Sequence, residues 1–281
     1  FSVLTAFGMV PAALLGLDLE RMFYSAYDAR AASRADTPDA DPSALRLGQA
    51  MARSALAGRN KLTLLLSPQL RAFSVWVEQL VAESTGKSGI GIIPVIDEAL
   101  PIGAYGADRF FVAVTLAGDH TLDETLQALK GAGYEIDHHQ LDDRYDLVGE
   151  FFRWEFAVAV AAVLLAVNPF DEPDVVSSKQ TTRRLLEGKK EEQAISIGEI
   201  RDDAGHTLRM PFALVDEDVG LIGQLVQFFQ NAGPSNYLTL MPFLHMTDGV
   251  QTALLELVVA LRAVLPLPVI LNPGPRYLHS T

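Results

Sequence analysis

Short apolar runs of strand length alternate with stretches of helical periodicity through the first half of this chain. That alternation restricts the fold more than any other feature, because parallel strands need helical crossovers between them. Residues 61–66 (KLTLLL) form one such run, stopped by Ser67-Pro68, and residues 69–84 then carry helical periodicity. A glycine-spaced turn over 86–91 leads into a predicted strand at 90–96. Further strands are predicted at 110–116 and 134–140, with a helix at 121–131 between them. The fold class that follows is α/β: a three-layer α/β/α sandwich on a mostly parallel sheet.

The flanking segments extend this plan. Residues 1–17 read as a buried helix kinked or broken at Pro11, and Asp18 as the N-cap of a helix reaching about residue 32. Residues 32–42 read as a loop, after which Asp41 caps a third helix with Pro42 at its first position. Residues 147–167 predict a long apolar helix, 175–187 another, and 188–192 a charged surface turn. Beyond it come a hairpin around Asp203-Ala204-Gly205, a helix over 219–231, a strand over 237–243, a helix over 250–264 and a strand over 268–271. These form a smaller C-terminal α/β lobe expected to return to the same sheet. The predicted division is 1–192 and 193–281.

Composition bounds the partners. A net charge of -13 repels phosphate backbones, so nucleic acid is not an expected partner. An anionic substrate would need local positive groups and backbone N–H donors. With no cysteine there are no disulfides, thiolate metal sites or cysteine nucleophiles, which fits a cytoplasmic protein. The longest apolar run, residues 156–167, falls short of the about 20 residues that span a bilayer, so no membrane is expected. The first residue is Phe rather than Met, and the chain is expected to start within a longer gene product.

Glu83 stands at the end of a predicted helix, just before the glycine turn. A part-buried carboxylate held there suits a general base; spacing alone favours a surface glutamate in a C-terminal turn. Gly86-Lys87-Ser88 is not a P-loop, because position 81 is Val. His138 and His139 precede Asp142 and Asp143, but adjacent strand residues face opposite ways, so no shared metal is expected. His206 and His245 read as surface or structural, and Phe151, Phe152, Trp154 and Phe156 as core packing.

Glu83-Ser84-Thr85-Gly86-Lys87, followed by Gly89-Ile90-Gly91-Ile92-Ile93-Pro94, resembles the catalytic-glutamate motif of phosphoglucose isomerases. Residues 1–8 (FSVLTAFG) resemble the family segment that follows Gly-Gly-Arg. Asn168-Pro169-Phe170-Asp171 through Lys179 resembles its second signature, and residues 274–281 (GPRYLHST) resemble the tail of transaldolase–isomerase fusions. Glu172 departs from the pattern, since the family has Gln there, and Asp174 and Val176 depart as well.

The resemblance implies a sugar-isomerase (SIS) fold, lacking its N-terminal side, that interconverts glucose 6-phosphate and fructose 6-phosphate. It implies Glu83 as the base moving a proton between C2 and C1, and Lys179 and His279 as the groups that open the ring. Gln79, one helical turn before Glu83, would contact substrate. The reaction needs no cofactor and no metal. The implied partners are the sugar phosphate, the rest of the isomerase and a transaldolase domain in the same chain, with a homo-oligomer allowed; the 281-residue piece alone is expected to be inactive. The alternative is a sugar-phosphate-binding SIS module without catalysis.

Overall fold

The computed structural model describes residues 2–34, 42–187, 197–211, 218–233 and 235–274. Two strands with nearly continuous apolar sequence, β1 (Lys61–Leu66) and β3 (Arg109–Leu116), are buried along most of their length, as strands covered on both faces must be. With β2 (Ile93–Val95) and β4 (Ile136–Leu141) they form a four-stranded sheet in the order β2-β1-β3-β4. Every pairing in it is parallel.

Strand alternation divides the side chains between two layers. Leu62, Leu64, Phe110 and Val112 join a core with α3 (Ser43–Leu56), α4 (Arg71–Thr85) and α6 (Leu147–Leu164). Leu65, Phe111 and Ala113 face the other way, against Leu126 and Leu129 of α5 (Asp123–Gly131) and the ring of Tyr105. Helices therefore cover both faces, and the chain is the three-layer α/β/α sandwich expected.

Aromatic side chains fix α4, the helix that carries Glu83. Trp76 meets Phe151 of α6 edge-on with ring centroids 4.6 Å apart, and Phe73 meets Phe151 at 5.2 Å. Such pairs add about 0.5–1.5 kcal/mol each beyond their buried area. On the same face α3 crosses α6 so closely that a Cβ on Gly48 would lie 2.4 Å from the Ala157 carbonyl oxygen.

Before α3 come α1 (Ala6–Leu14) and α2 (Leu19–Ala32). Asp18 caps α2 by accepting from the Arg21 N–H at 3.1 Å, as predicted. The expectation for α1 is corrected. Pro11 lies inside a continuous helix, only Ala12 of that helix is buried, and Phe7 and Leu14 are each 84% exposed. Apolar sequence marks a surface that favours burial but does not supply the neighbour that buries it. Asp41, the predicted cap of α3, lies outside the described residues, and Pro42 takes the N-cap position without a side-chain hydrogen bond.

The chain divides into two compact units. One runs to Asp171 and adds Thr239–Thr247 and the stretch from Ile270; the other comprises Glu172–Leu238 and Asp248–Val269. After α7 (Pro173–Leu186), β5 (Ile197–Arg201) and β6 (Thr207–Pro211) form the predicted antiparallel hairpin. α8 (Leu221–Gln230) and α9 (Asp248–Val264) follow, with β7 (Leu238–Leu240) and β8 (Val269–Leu271) pairing with each other. Among the described residues these later strands make two separate two-stranded sheets and do not return to the main sheet. No helix among the described residues is long and apolar enough to cross a membrane.

A buried polar network on α6 gives a pH-dependent contribution to stability. The Glu150 carboxylate accepts from Trp154 Nε1 at 3.1 Å and from the His139 ring, and Arg153 pairs with both Glu150 and Asp137. Burial acts to raise the Glu150 pKa, but the His139 hydrogen bond and the Arg153 charge outweigh it and hold the carboxyl below its ordinary 4.5. The folded chain therefore takes up this proton less readily than the unfolded one. Its contribution is complete above the ordinary value and is lost as pH falls through the lowered one. Urea unfolding at descending pH is expected to show stability falling in that acid range, with a shallower fall in Glu150→Gln. Parallel pH profiles would show that another group controls acid unfolding.

Candidate active site

Glu83 lies in the last turn of α4 and is half-buried. Gln79, four residues earlier and exposed, donates from Nε2 to Glu83 Oε2 at 3.3 Å, so the two side chains share one helix face as the periodicity requires. The helix then stops at a tightly built turn. Thr85 Oγ1 donates to the Val81 carbonyl at 2.7 Å and accepts from the Ile92 N–H at 3.0 Å. Lys87 and Ile90 exchange backbone hydrogen bonds at 2.8 and 2.9 Å around Ser88 and Gly89, whose φ values are +55° and +78°. Two successive positive φ values define a reversed two-residue turn, which glycine adopts without strain.

The glycines on either side have a steric cause. A Cβ on Gly86 would lie 2.7 Å from the Ala82 carbonyl oxygen, and one on Gly91 would lie 2.9 Å from the Gly86 Cα. The motif that follows Glu83 is therefore the sequence of a close backbone approach. It holds the end of α4 at a defined point.

That point lies at the amino edge of the sheet. β1 and β2 are parallel, so the connecting helix must run back and finish beside the start of β2. Open α/β sheets commonly bind ligands at the opposite, carboxyl edge. There the chain has a cleft of about 410 Å³ lined by Leu66, Pro68, Arg71, Asp97, Glu98 and Thr125 among others. A second cleft of about 360 Å³ lies beside His139, Asp142 and Arg153, and a third of about 460 Å³ lies in the later unit around Gln224, Phe228 and Tyr237. Glu83 lines none of these three.

The other predicted residues are placed unequally. Glu83 and Gln79 are together. Lys179 is exposed on α7, in the later unit. His279 lies outside the described residues, as does most of the segment that resembles the fusion tail.

His120, His138, His139 and His206 have local side-chain partners. His120 pairs with Asp123 at 2.8 Å and His206 with Asp202 at 2.7 Å, both on the surface. His138 bonds Thr115 Oγ1 at 2.9 Å, and its pKa is lowered by burial and by the nearby Lys130 charge. No group of three or more His, Asp or Glu residues that could hold a metal occurs among the described residues.

Sequence reasoning assigns Lys87 no role, and the structure gives it one. Its side chain is buried, and its ammonium donates to the Asn168 carbonyl at 2.6 Å, to the Asp171 carbonyl and to Asp171 Oδ1 at 2.8 Å. Asn168 in turn accepts at Oδ1 from the Phe170 N–H at 3.1 Å. The opening of the second signature is thus fastened to the turn after Glu83. The available signal was the lysine that closes the Glu83 motif, but its partners lie 81 and 84 positions away.

The fold is an α/β/α sandwich on a parallel sheet, and comparison with known proteins adds named relatives. The chain is 29% identical over 228 residues to a glucose-6-phosphate isomerase of Enterococcus faecalis, covering 66% of this chain and 50% of that protein. It is 30% identical over 229 residues to the enzyme of that name from Clostridioides difficile, again covering 66% and 50%. The corresponding figures for the Rubrobacter xylanophilus enzyme are 29% over 224 residues, 65% and 51%. These relatives support a family similar to glucose-6-phosphate isomerases. The chain spans about half the length of the curated relatives it matches. A crystal structure of a hypothetical protein from Thermus thermophilus matches with a TM-score of 0.52 at 19% identity, covering 65% of this chain and 54% of that one, which supports the fold. No protein-family profile matches the chain.

Proposed function

We propose that this chain is part of a cytoplasmic glucose-6-phosphate isomerase of the type fused to transaldolase, with Glu83 as the base of an enediol mechanism. The observation that carries this reading is a half-buried carboxylate held by Gln79 at a fixed helix end, within a motif that resembles the catalytic-glutamate motif. The similarity to named isomerases over two thirds of the chain points the same way. A general base needs a carboxylate that is positioned yet reachable, and the last turn of α4 provides both.

In this reading Glu83 removes the proton from C2 of the open-chain aldose and returns it to C1. The electron pair moves from the C2–H bond into the C1–C2 double bond, and the C1 carbonyl oxygen takes a proton to give the enediol. In the second half the O2 hydroxyl loses its proton, its electron pair forms the C2 carbonyl, and the C1–C2 double-bond pair takes the proton from Glu83 at C1. Lys179 and His279 are assigned the proton transfers of ring opening, and Gln79 a contact to substrate. Glu172 does not hold the phosphate, since two anions would repel. The relatives are about twice as long as the segment matched, so the phosphate anchor is assigned to chain beyond these residues.

The test is direct. The full chain as its gene encodes it, incubated in D₂O with glucose 6-phosphate and no added metal, is expected to yield fructose 6-phosphate and to exchange the transferred proton with solvent. EDTA is expected to have no effect. Binding of the sugar phosphate without turnover would favour the non-catalytic SIS module, and activity lost in EDTA and restored by a divalent ion would overturn the mechanism.

A further inference from the structure

From its contacts we infer that Lys87 is a positioning residue for Glu83, acting by fastening the turn after α4 to residues 168–171. The inference rests on the reading of Glu83 as the base. An ammonium group has three protons, and all three have acceptors: the Asn168 carbonyl, the Asp171 carbonyl and the Asp171 carboxylate. The side chain is only 5% exposed. With every donor engaged and the group buried, Lys87 has no proton to offer a substrate phosphate, and its influence must pass through what it holds.

What it holds is continuous with the base. Lys87 belongs to the reversed turn with Ile90, and Thr85, two residues earlier, ties that turn back to Val81 in the same helical turn as Glu83. The Thr85 bonds are local, whereas the Lys87 bonds reach 81 to 84 residues along the chain. Helix C-terminal turns fray when their last carbonyls and caps are not held from outside. Removing the Lys87 bonds frees the turn from residues 168–171 and lets the Glu83 carboxylate wander. A misplacement of about 1 Å can cost about 10²-fold in rate.

The experiment uses the full chain and its glucose 6-phosphate turnover, with Lys87→Met as the variant. The expected result is a kcat lowered by about 10²-fold, a KM little changed and a larger deuterium isotope effect with substrate labelled at C2, because proton transfer becomes limiting. Asp171→Ala, at a half-exposed residue whose loss leaves both carbonyl acceptors in place, is expected to give a smaller fall with the same isotope signature; it keeps the inference testable if Lys87→Met does not fold. Wild-type kcat and isotope effect in these variants, with Glu83→Gln inactive, would overturn the role of Lys87 alone. A raised KM with unchanged kcat would also overturn it, by assigning Lys87 to binding. Full activity in Glu83→Gln would instead remove the reading on which the inference stands.

Discussion

Replacing Glu83 with Gln in the full chain is expected to lower isomerisation by about 10²–10⁴-fold, the usual contribution of a positioned base. The amide keeps the shape of the side chain and its hydrogen-bonding capacity toward Gln79, but it cannot accept the C2 proton. Folding should be little disturbed, because Glu83 is half-buried at a helix end and its hydrogen bond from Gln79 is long at 3.3 Å. Ring opening is assigned to Lys179 and His279, so it should survive. Two measurements on one sample separate the steps: the isomerisation rate, and anomer exchange of fructose 6-phosphate followed by NMR. Loss of the first with retention of the second supports the assignment. Unchanged isomerisation would remove Glu83 from the chemistry, and loss of both would place it in substrate binding.

Much of the first unit was legible because its signals are local. The runs that became β1 and β3 are strongly apolar over strand length, and the periodicity of 147–167 is that of a long helix. β2 is shorter than the predicted 90–96 because residues 87–90 fold back on themselves in a turn, which a propensity reading merges with the strand. The exposed α1 shows the limit of hydropathy, which registers that burial is favourable and not what provides it. For the candidate site, the shared helix face of Glu83 and Gln79 was readable because the two lie four residues apart on one helix. The role of Lys87 was not, because its meaning comes from carbonyls across the sequence. The placement of the later strands in their own small sheets was likewise set by pairing that periodicity does not encode.

The buried cations bear on function as well as fold. Lys61 pairs with Asp108, Lys87 with Asp171, Arg109 with Glu98 and Arg153 with Asp137 and Glu150. In a chain of net charge -13 these four positive groups are neutralised where they stand. They are positioned to hold strands and turns in register, and they are poorly placed to receive a phosphate. This agrees with the proposal that the phosphate anchor belongs to other residues.

Arg109 offers the largest stability test of this arrangement. Its guanidinium lies 2.7 Å from Glu98 Oε2 and donates to Thr63 Oγ1 at 2.8 Å, with side-chain exposures of 2% for Arg109 and 0% for Glu98. It thereby joins β3 to β1 and to the segment after β2. Removing one partner of a buried pair costs about 3–5 kcal/mol, because the carboxylate keeps its desolvation penalty and loses the charge beside it. Arg109→Met is therefore expected to lose about that much in urea unfolding, a large share of the about 5–15 kcal/mol that holds a typical domain together. The double variant Arg109→Met, Glu98→Gln removes both charges and should recover a substantial part of the loss. Equal losses in the single and double variants would mean that the stranded Glu98 carboxylate is not the source of the cost, which would then lie in the other Arg109 contacts, to Thr63 and the Tyr105 ring.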